Sequence, residues 1–96
     1  MPIKKNWSKA TKQQIKSKVP EKKGIYELKS FGEVKYVGSS SDLRRRLLEH
    51  LDDRNPNYYR FKKLGFFSSL KNAEREHYDR HVDKYGQPPT WNEKRP

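Results

Sequence analysis

The chain has no cysteine. That excludes a disulfide framework and any metal held by thiolates. Apolar residues are also scarce, 30% of 96 positions, which suits one small domain with no second core. No apolar run is long enough to span a bilayer, and no secretory h-region is visible. A cytoplasmic, nucleoid-associated or nuclear setting is therefore expected, and a secreted or membrane one is not. There is no internal repeat. Acidic residues are few beside basic ones, 12 against 23.

What the chain does have is positive charge, +11 overall with a pI of about 10.0. A surplus of this size predicts a polyanionic partner, most simply nucleic acid. A merely soluble basic protein would share the composition. Aromatic residues, 12% of the chain, help a small core because each buries a large area.

The most informative stretch is Gly24-Ile25-Tyr26, followed after nine residues by Tyr36-Val37-Gly38. It reads as a β-hairpin, with arms at residues 24–29 and 34–38 and a turn over Ser30-Phe31-Gly32-Glu33, where Gly32 is free to take a positive φ. Alternation along each arm puts Ile25 and Val37 toward the core. Tyr26 and Tyr36 then share the opposite face, where two phenols beside two glycines leave room for a phosphate. Taken alone, an ordinary hairpin with tyrosines of good β propensity explains the same pattern.

Ser41 or Asp42 can cap a helix running from about Leu43 to Asp52. Leu43, Leu47 and Leu51 recur at i, i+4 and i+8 and form its buried stripe. Arg46 lies about 60° to one side of Leu43 and His50 about 20° to the same side, so the two stack along one shoulder. Arg45 and Glu49 point away. An arginine at a buried edge needs an anionic partner. A carboxylate such as Glu74 or Glu76 would serve, and so would a phosphate.

In this order, with an arginine eight residues after the second glycine and a histidine one helical turn later, the segment resembles the GIY-YIG nuclease family. The likeness covers about Pro20 to Asn92. It implies a small α/β (α+β) domain, a three-stranded antiparallel sheet flanked by helices. Carried onto this chain, the family's functional positions fall on Tyr26, Tyr36, Arg46 and His50, with a glutamate on a later helix and a late asparagine, here Asn92. That asparagine's amide is expected to hold a loop or a phosphate near the site. Where some relatives have a lysine directly after the second glycine, this chain has Ser39, one cation fewer.

Around that segment the chain reads as follows. Met1 to Asn6 is a frayed basic start. Ser8 caps a marginal lysine-rich helix to about Lys18, pinned by Trp7 and Val19 and ended by Pro20. Residues 1–19 are thus a basic helical extension packed on a domain of residues 20–96. Residues 53–57 form a loop around Pro56. Tyr58 to Leu64 alternates as a third strand, and Phe61, Phe66 and Phe67 are assigned to the core. Ser69 or Asn72 opens a last helix that runs to about Tyr85 and stops at Gly86. Trp91 is assigned to the core.

On the last helix, Ala73, His77, Tyr78, His81, Val82 and Tyr85 make a semi-apolar face with Glu74 in its middle, while Glu76 falls on the polar side. An inward carboxylate beside a basic site is what a divalent metal needs. Glu74 is therefore the expected ligand of one Mg²⁺ or Mn²⁺ and Glu76 the second choice. His77 and His81 have the i, i+4 spacing of zinc ligands but no third ligand, and partly buried, satisfied histidines explain them better.

Together these residues supply what phosphodiester hydrolysis requires. Arg46 would grip the phosphate, Glu74 the metal, and Tyr26, Tyr36 or His50 would take the proton from the attacking water. Ser39, Arg44, Arg45, Lys62 and Asn92 would contact DNA. The expected function is a metal-dependent DNA endonuclease of repair, recombination or mobile-element processing. A partner protein or a structured DNA substrate would supply its selectivity. The alternatives are an inactive nucleic-acid-binding module and a scaffold in a repair complex.

Overall fold

The hairpin forms one side of the sheet. In the computed structural model, which describes residues 6–92, β2 (Gly24–Ser30) and β3 (Glu33–Ser40) pair antiparallel with Tyr26 opposite Gly38 and Leu28 opposite Tyr36. The connection is a two-residue turn in which Phe31 and Gly32 both have positive φ, 53° and 78°, the mirror-image turn whose twist suits a hairpin. A register shift follows Leu28.

The sheet has four strands rather than the expected three: with β1 (Ser8–Lys9) and β4 (Tyr58–Lys63) joining the hairpin, the order is β1-β4-β2-β3. β4 pairs antiparallel with the other side of β2. The extra strand is β1, which pairs Ser8 with Tyr59. Ser8 is thus not a helix cap. The backbone of residues 8 and 9 covers an edge of β4 that would otherwise be open. Helix α1 (Lys12–Lys18) starts later, with Thr11 as its cap accepting from the Gln14 amide at 3.2 Å. The expected frayed start lies, apart from Asn6, outside the described residues.

Helix α2 (Leu43–Asp53) begins at an Asp42 cap and buries Leu43 and Leu47. Helix α3 (Leu70–Tyr85) begins at a Ser69 cap and ends at Gly86 with φ 75°. Both boundaries follow local chemistry: a side-chain acceptor for the orphan amides at the start, a left-handed glycine at the stop.

The helices cover opposite faces of the sheet. One face, formed by Tyr26, Leu28, Tyr59 and Phe61, packs with Ile15 and Val19 of the α1 segment and with Leu43 and Leu47 of α2 as the main apolar cluster; Tyr36, Leu48, Leu51 and Trp91 lie half-buried against it. The other face, with Ile25 and Val37, lies under α3, whose buried residues are His77 and Tyr78. Alternation therefore separates the tyrosines from Ile25 and Val37 as read, but the tyrosine face is not open. Tyr26 is 1% exposed and is itself core.

Phe66 and Phe67 are not core either, being 86% and 96% exposed. Both sheet faces are already closed by helices, and residues 64–69 run along the rim beyond them. Tyr85 is also more outside than in, at 52% exposure. Among the described residues no helix is long and apolar enough to cross a membrane.

Candidate active site at the edge of β3

The site is built over a glycine. A side chain at Gly38 would put its Cβ 2.5 Å from the Tyr26 hydroxyl and 2.7 Å from Cε2 of Tyr36. Only a bare backbone lets both rings lie across β3. The rings stack with centroids 6.0 Å apart, and His50 leans on both, at 5.4 Å from Tyr26 and 5.0 Å from Tyr36. Gly24 serves a similar end, since a Cβ there would strike the Lys62 carbonyl and Leu43.

Tyr26 and His50 form a buried hydrogen bond, Oη to Nε2, of 2.7 Å. Burial pushes the Tyr26 phenol well above its ordinary range; the neighbouring Tyr36 adds to this, and the Arg46 guanidinium opposes it. Burial, then the charges of Arg46 and Arg54, pull His50 down to about 4. Both groups are therefore neutral near pH 7. His50 Nδ1 is buried without a partner among the described residues.

Arg46 reaches the same place from α2. Its Nη1 donates to Glu49 Oε1 at 2.9 Å, one turn along its own helix, and its side chain is 37% exposed. The carboxylate it pairs with is thus neither Glu74 nor Glu76. Glu49 also receives Arg45 at 3.2 Å. Arg44 is turned the other way: it donates to the Val19 carbonyl and to Glu21, each at 2.8 Å, and so ties α2 to the end of the α1 segment.

Glu74 arrives from the opposite face. Its Oε1 accepts from the Ser39 hydroxyl at 2.6 Å, and its charge is felt at the Tyr26 phenol. We expected Glu74, Arg46 and His50 to meet in one helix–sheet seam. Instead α2 and α3 lie on opposite faces, and their side chains converge at the free side of β3, the edge strand. Glu74 is half-buried and has no ion pair with a lysine or arginine among the described residues. Glu76 is exposed and pairs with Arg80 at 3.1 Å. Lys62 lies on the α3 face beside Ile25 and acts on His77. Burial pulls His77 down to about 4. Among the described residues no group of three His, Asp or Glu gathers to hold a metal, so any ion here would rely on one carboxylate and water, which suits magnesium rather than zinc.

The residues after α3 brace the edge. Asn92 accepts from the Val37 N–H through Oδ1 and donates to the Val37 carbonyl through Nδ2, both at 3.0 Å. Its amide mimics a neighbouring strand and is engaged there rather than by the site. Sequence reasoning overlooked one group. Arg54, just past α2, sits over the Tyr36 ring at 5.4 Å and over Trp91 at 5.8 Å; a lone arginine in a loop carries no signal of this. Ser39, expected as a DNA contact in the place of a lysine, instead uses its hydroxyl to orient Glu74.

The family profile that matches residues 1–83 is described as "Domain of unknown function (DUF7508)". The chain belongs to that family. No curated protein matches this DUF7508 domain in sequence. Among the solved structures that share its fold are two of one domain. One is the GIY-YIG N-terminal endonuclease domain of UvrC from Thermotoga maritima, in an asparagine-to-alanine point mutant bound to its catalytic divalent cation. It is 20% identical with a TM-score of 0.60, covering 88% of this chain and 100% of that one. The other is the same domain bound to magnesium, 20% identical with a TM-score of 0.55, covering 85% and 99%. The DUF7508 domain therefore has the GIY-YIG fold.

Proposed function

We propose that this domain is a metal-dependent DNA endonuclease. The observation that carries the reading is the convergence at the β3 edge of a guanidinium, a half-exposed phenol braced by a buried phenol–imidazole pair, and a carboxylate that no lysine or arginine pairs with among the described residues. That is the donor set of a phosphodiester-cleaving site, on a chain of charge +11. The UvrC domains, described as endonuclease domains with a catalytic divalent cation, support it by fold.

Arg46 offers its fork of donors to the phosphate oxygens, releasing Glu49 as it does so. Glu74, aimed by Ser39, would hold one Mg²⁺ or Mn²⁺, whose charge would help to stabilise the phosphoryl oxygens. Tyr26 and His50 are both closed to solvent, and proton transfer between an acid made weaker and a base made weaker is uphill. They act as a buttress. Tyr36 is the half-exposed member of the stack and is the group that meets the attacking water.

The pairing of Arg46 with Glu49 favours a second reading, a binding module that no longer cleaves. Nicking of supercoiled plasmid separates the two. The endonuclease should nick with Mg²⁺ or Mn²⁺ and stop with EDTA. DNA binding without nicking under either metal would sink the first reading in favour of the second.

A further inference from the structure

The loop between β4 and α3 displays two rings that the fold leaves bare. Phe66 and Phe67 stand edge to face, centroids 5.1 Å apart, and are 86% and 96% exposed. Exposing two phenylalanines side by side has a solvation cost that a closed core would have avoided. The backbone beneath them is braced. Lys23 Nζ donates to the Phe66 carbonyl at 2.8 Å and to the Ser68 carbonyl at 2.6 Å. Ser68 N–H donates to the Gly65 carbonyl at 3.0 Å, and Leu64 N–H to that of Lys23 at 3.1 Å. The loop is a support, and the rings are what it presents.

Its position ties it to the site. Gly24 pairs with Lys63 on one side and Ser40 on the other, so the loop leaves the sheet at the end where Ser39 and Glu74 meet. It then enters the Ser69 cap of α3, and Glu74 follows in the first turns of that helix. The surroundings are basic: Lys22, Lys23, Lys62, Lys63 and Lys71, with no acidic residue between Lys62 and Ala73. An apolar pair inside a field of lysines suits a partner that offers flat apolar faces and negative charge together. Nucleic acid offers both only where its bases are not already stacked in a duplex.

We propose that Phe66 and Phe67 form a stacking platform for unpaired bases, so that the DNA this domain acts on is single-stranded or distorted beside the scissile bond. This rests on the nuclease reading and narrows its substrate. An apolar protein surface is the competing occupant of the rings.

The test is binding in EDTA, followed by fluorescence anisotropy of a short labelled single strand and of the same sequence as duplex. Replacing both rings, Phe66→Ala with Phe67→Ala, should weaken single-strand binding by about tenfold or more, the scale of base–aromatic stacking. Duplex binding should be unchanged, and so should the dependence on salt, because no phosphate contact is removed. Phe66→Trp with Phe67→Trp should restore the single-strand affinity, and Phe66→Leu with Phe67→Leu should not. Equal losses on both DNAs, no loss on either, or rescue by leucine as by tryptophan would overturn the platform; the last would point to a plain apolar contact. A parent that fails to nick plasmid with metal yet shows the strand preference overturns the nuclease reading alone. A parent that nicks without the preference overturns the platform alone.

Discussion

The two faces of the sheet are made of different material. On the α1 and α2 side, Tyr26, Leu28, Tyr59 and Phe61 pack with Ile15, Val19, Leu43 and Leu47. On the α3 side, Ile25, Val37 and Tyr78 are buried among charged and polar groups, with His77 at 5% exposure and the Glu27–Arg60 ion pair at 2.6 Å. The first face holds the domain together and, in doing so, locks the tyrosines and His50 in place. The second has little apolar area to contribute and is free to carry a carboxylate. A small basic chain can thus separate stability from chemistry by face and bring the two together at the edge of β3.

That division can be broken experimentally, and the largest effect should fall on catalysis. Arg46→Ala should cut plasmid nicking by about 10²–10³-fold, the usual loss on removing a donor to developing charge, while DNA affinity changes little because many other cations remain. Glu74→Gln should abolish metal-stimulated nicking in a folded protein, and Glu76→Gln should nick like the parent. A dead Glu76→Gln beside an active Glu74→Gln would reverse the two carboxylates' roles.

Stability should show the opposite asymmetry. Leu47→Ala, on the apolar face, should cost about 3 kcal/mol in urea unfolding. Val82→Ala, on α3, should cost about 1 kcal/mol or less. Equal costs would mean that α3 closes the core as much as α2 does.

Acid should weaken the fold through the two buried histidines, one on each side. His50 and His77 are each pulled down to about 4. The unfolded chain, with histidine near its ordinary value of about 6.5, takes up protons first as pH falls. Stability is then complete above the unfolded value and is lost between about pH 6.5 and 4, by up to about 3 kcal/mol for each histidine. Thermal melts across that range should show the loss, and His50→Gln should remove about half of it. A limb unchanged by that substitution would place the acid sensitivity elsewhere.

The smallest effect concerns the bracing of the edge. Asn92→Ala removes both hydrogen bonds to Val37 and should cost about 1–2 kcal/mol. If DNA affinity falls instead and stability does not, the amide belongs to the substrate rather than to the strand.

Much of this was legible in the chain. The hairpin follows from Gly32 and alternation, α2 from the Asp42 cap and the Leu43–Leu47 stripe, and α3 from the Ser69 cap and the Gly86 stop. Each depends on residues a few positions apart, whose geometry is set by the local backbone. The order Tyr26, Tyr36, Arg46 carried the family likeness for the same reason, since strand and helix spacings convert directly into directions.

Only the tertiary structure decided the rest. Phe66 and Phe67 are as apolar as Phe61, yet Phe61 is buried and they are bare, because the surfaces that could have covered them were already occupied by α1, α2 and α3. Ser8 could have capped a helix, but the open edge of β4 took its backbone into the sheet. Arg46 had several carboxylates within reach by sequence; α3 lies on the far face of the sheet, which left Glu49 as its partner. Local patterns determined which elements exist and which way their side chains point. What each side chain meets depended on residues far away in the chain, because a surface can be covered only once.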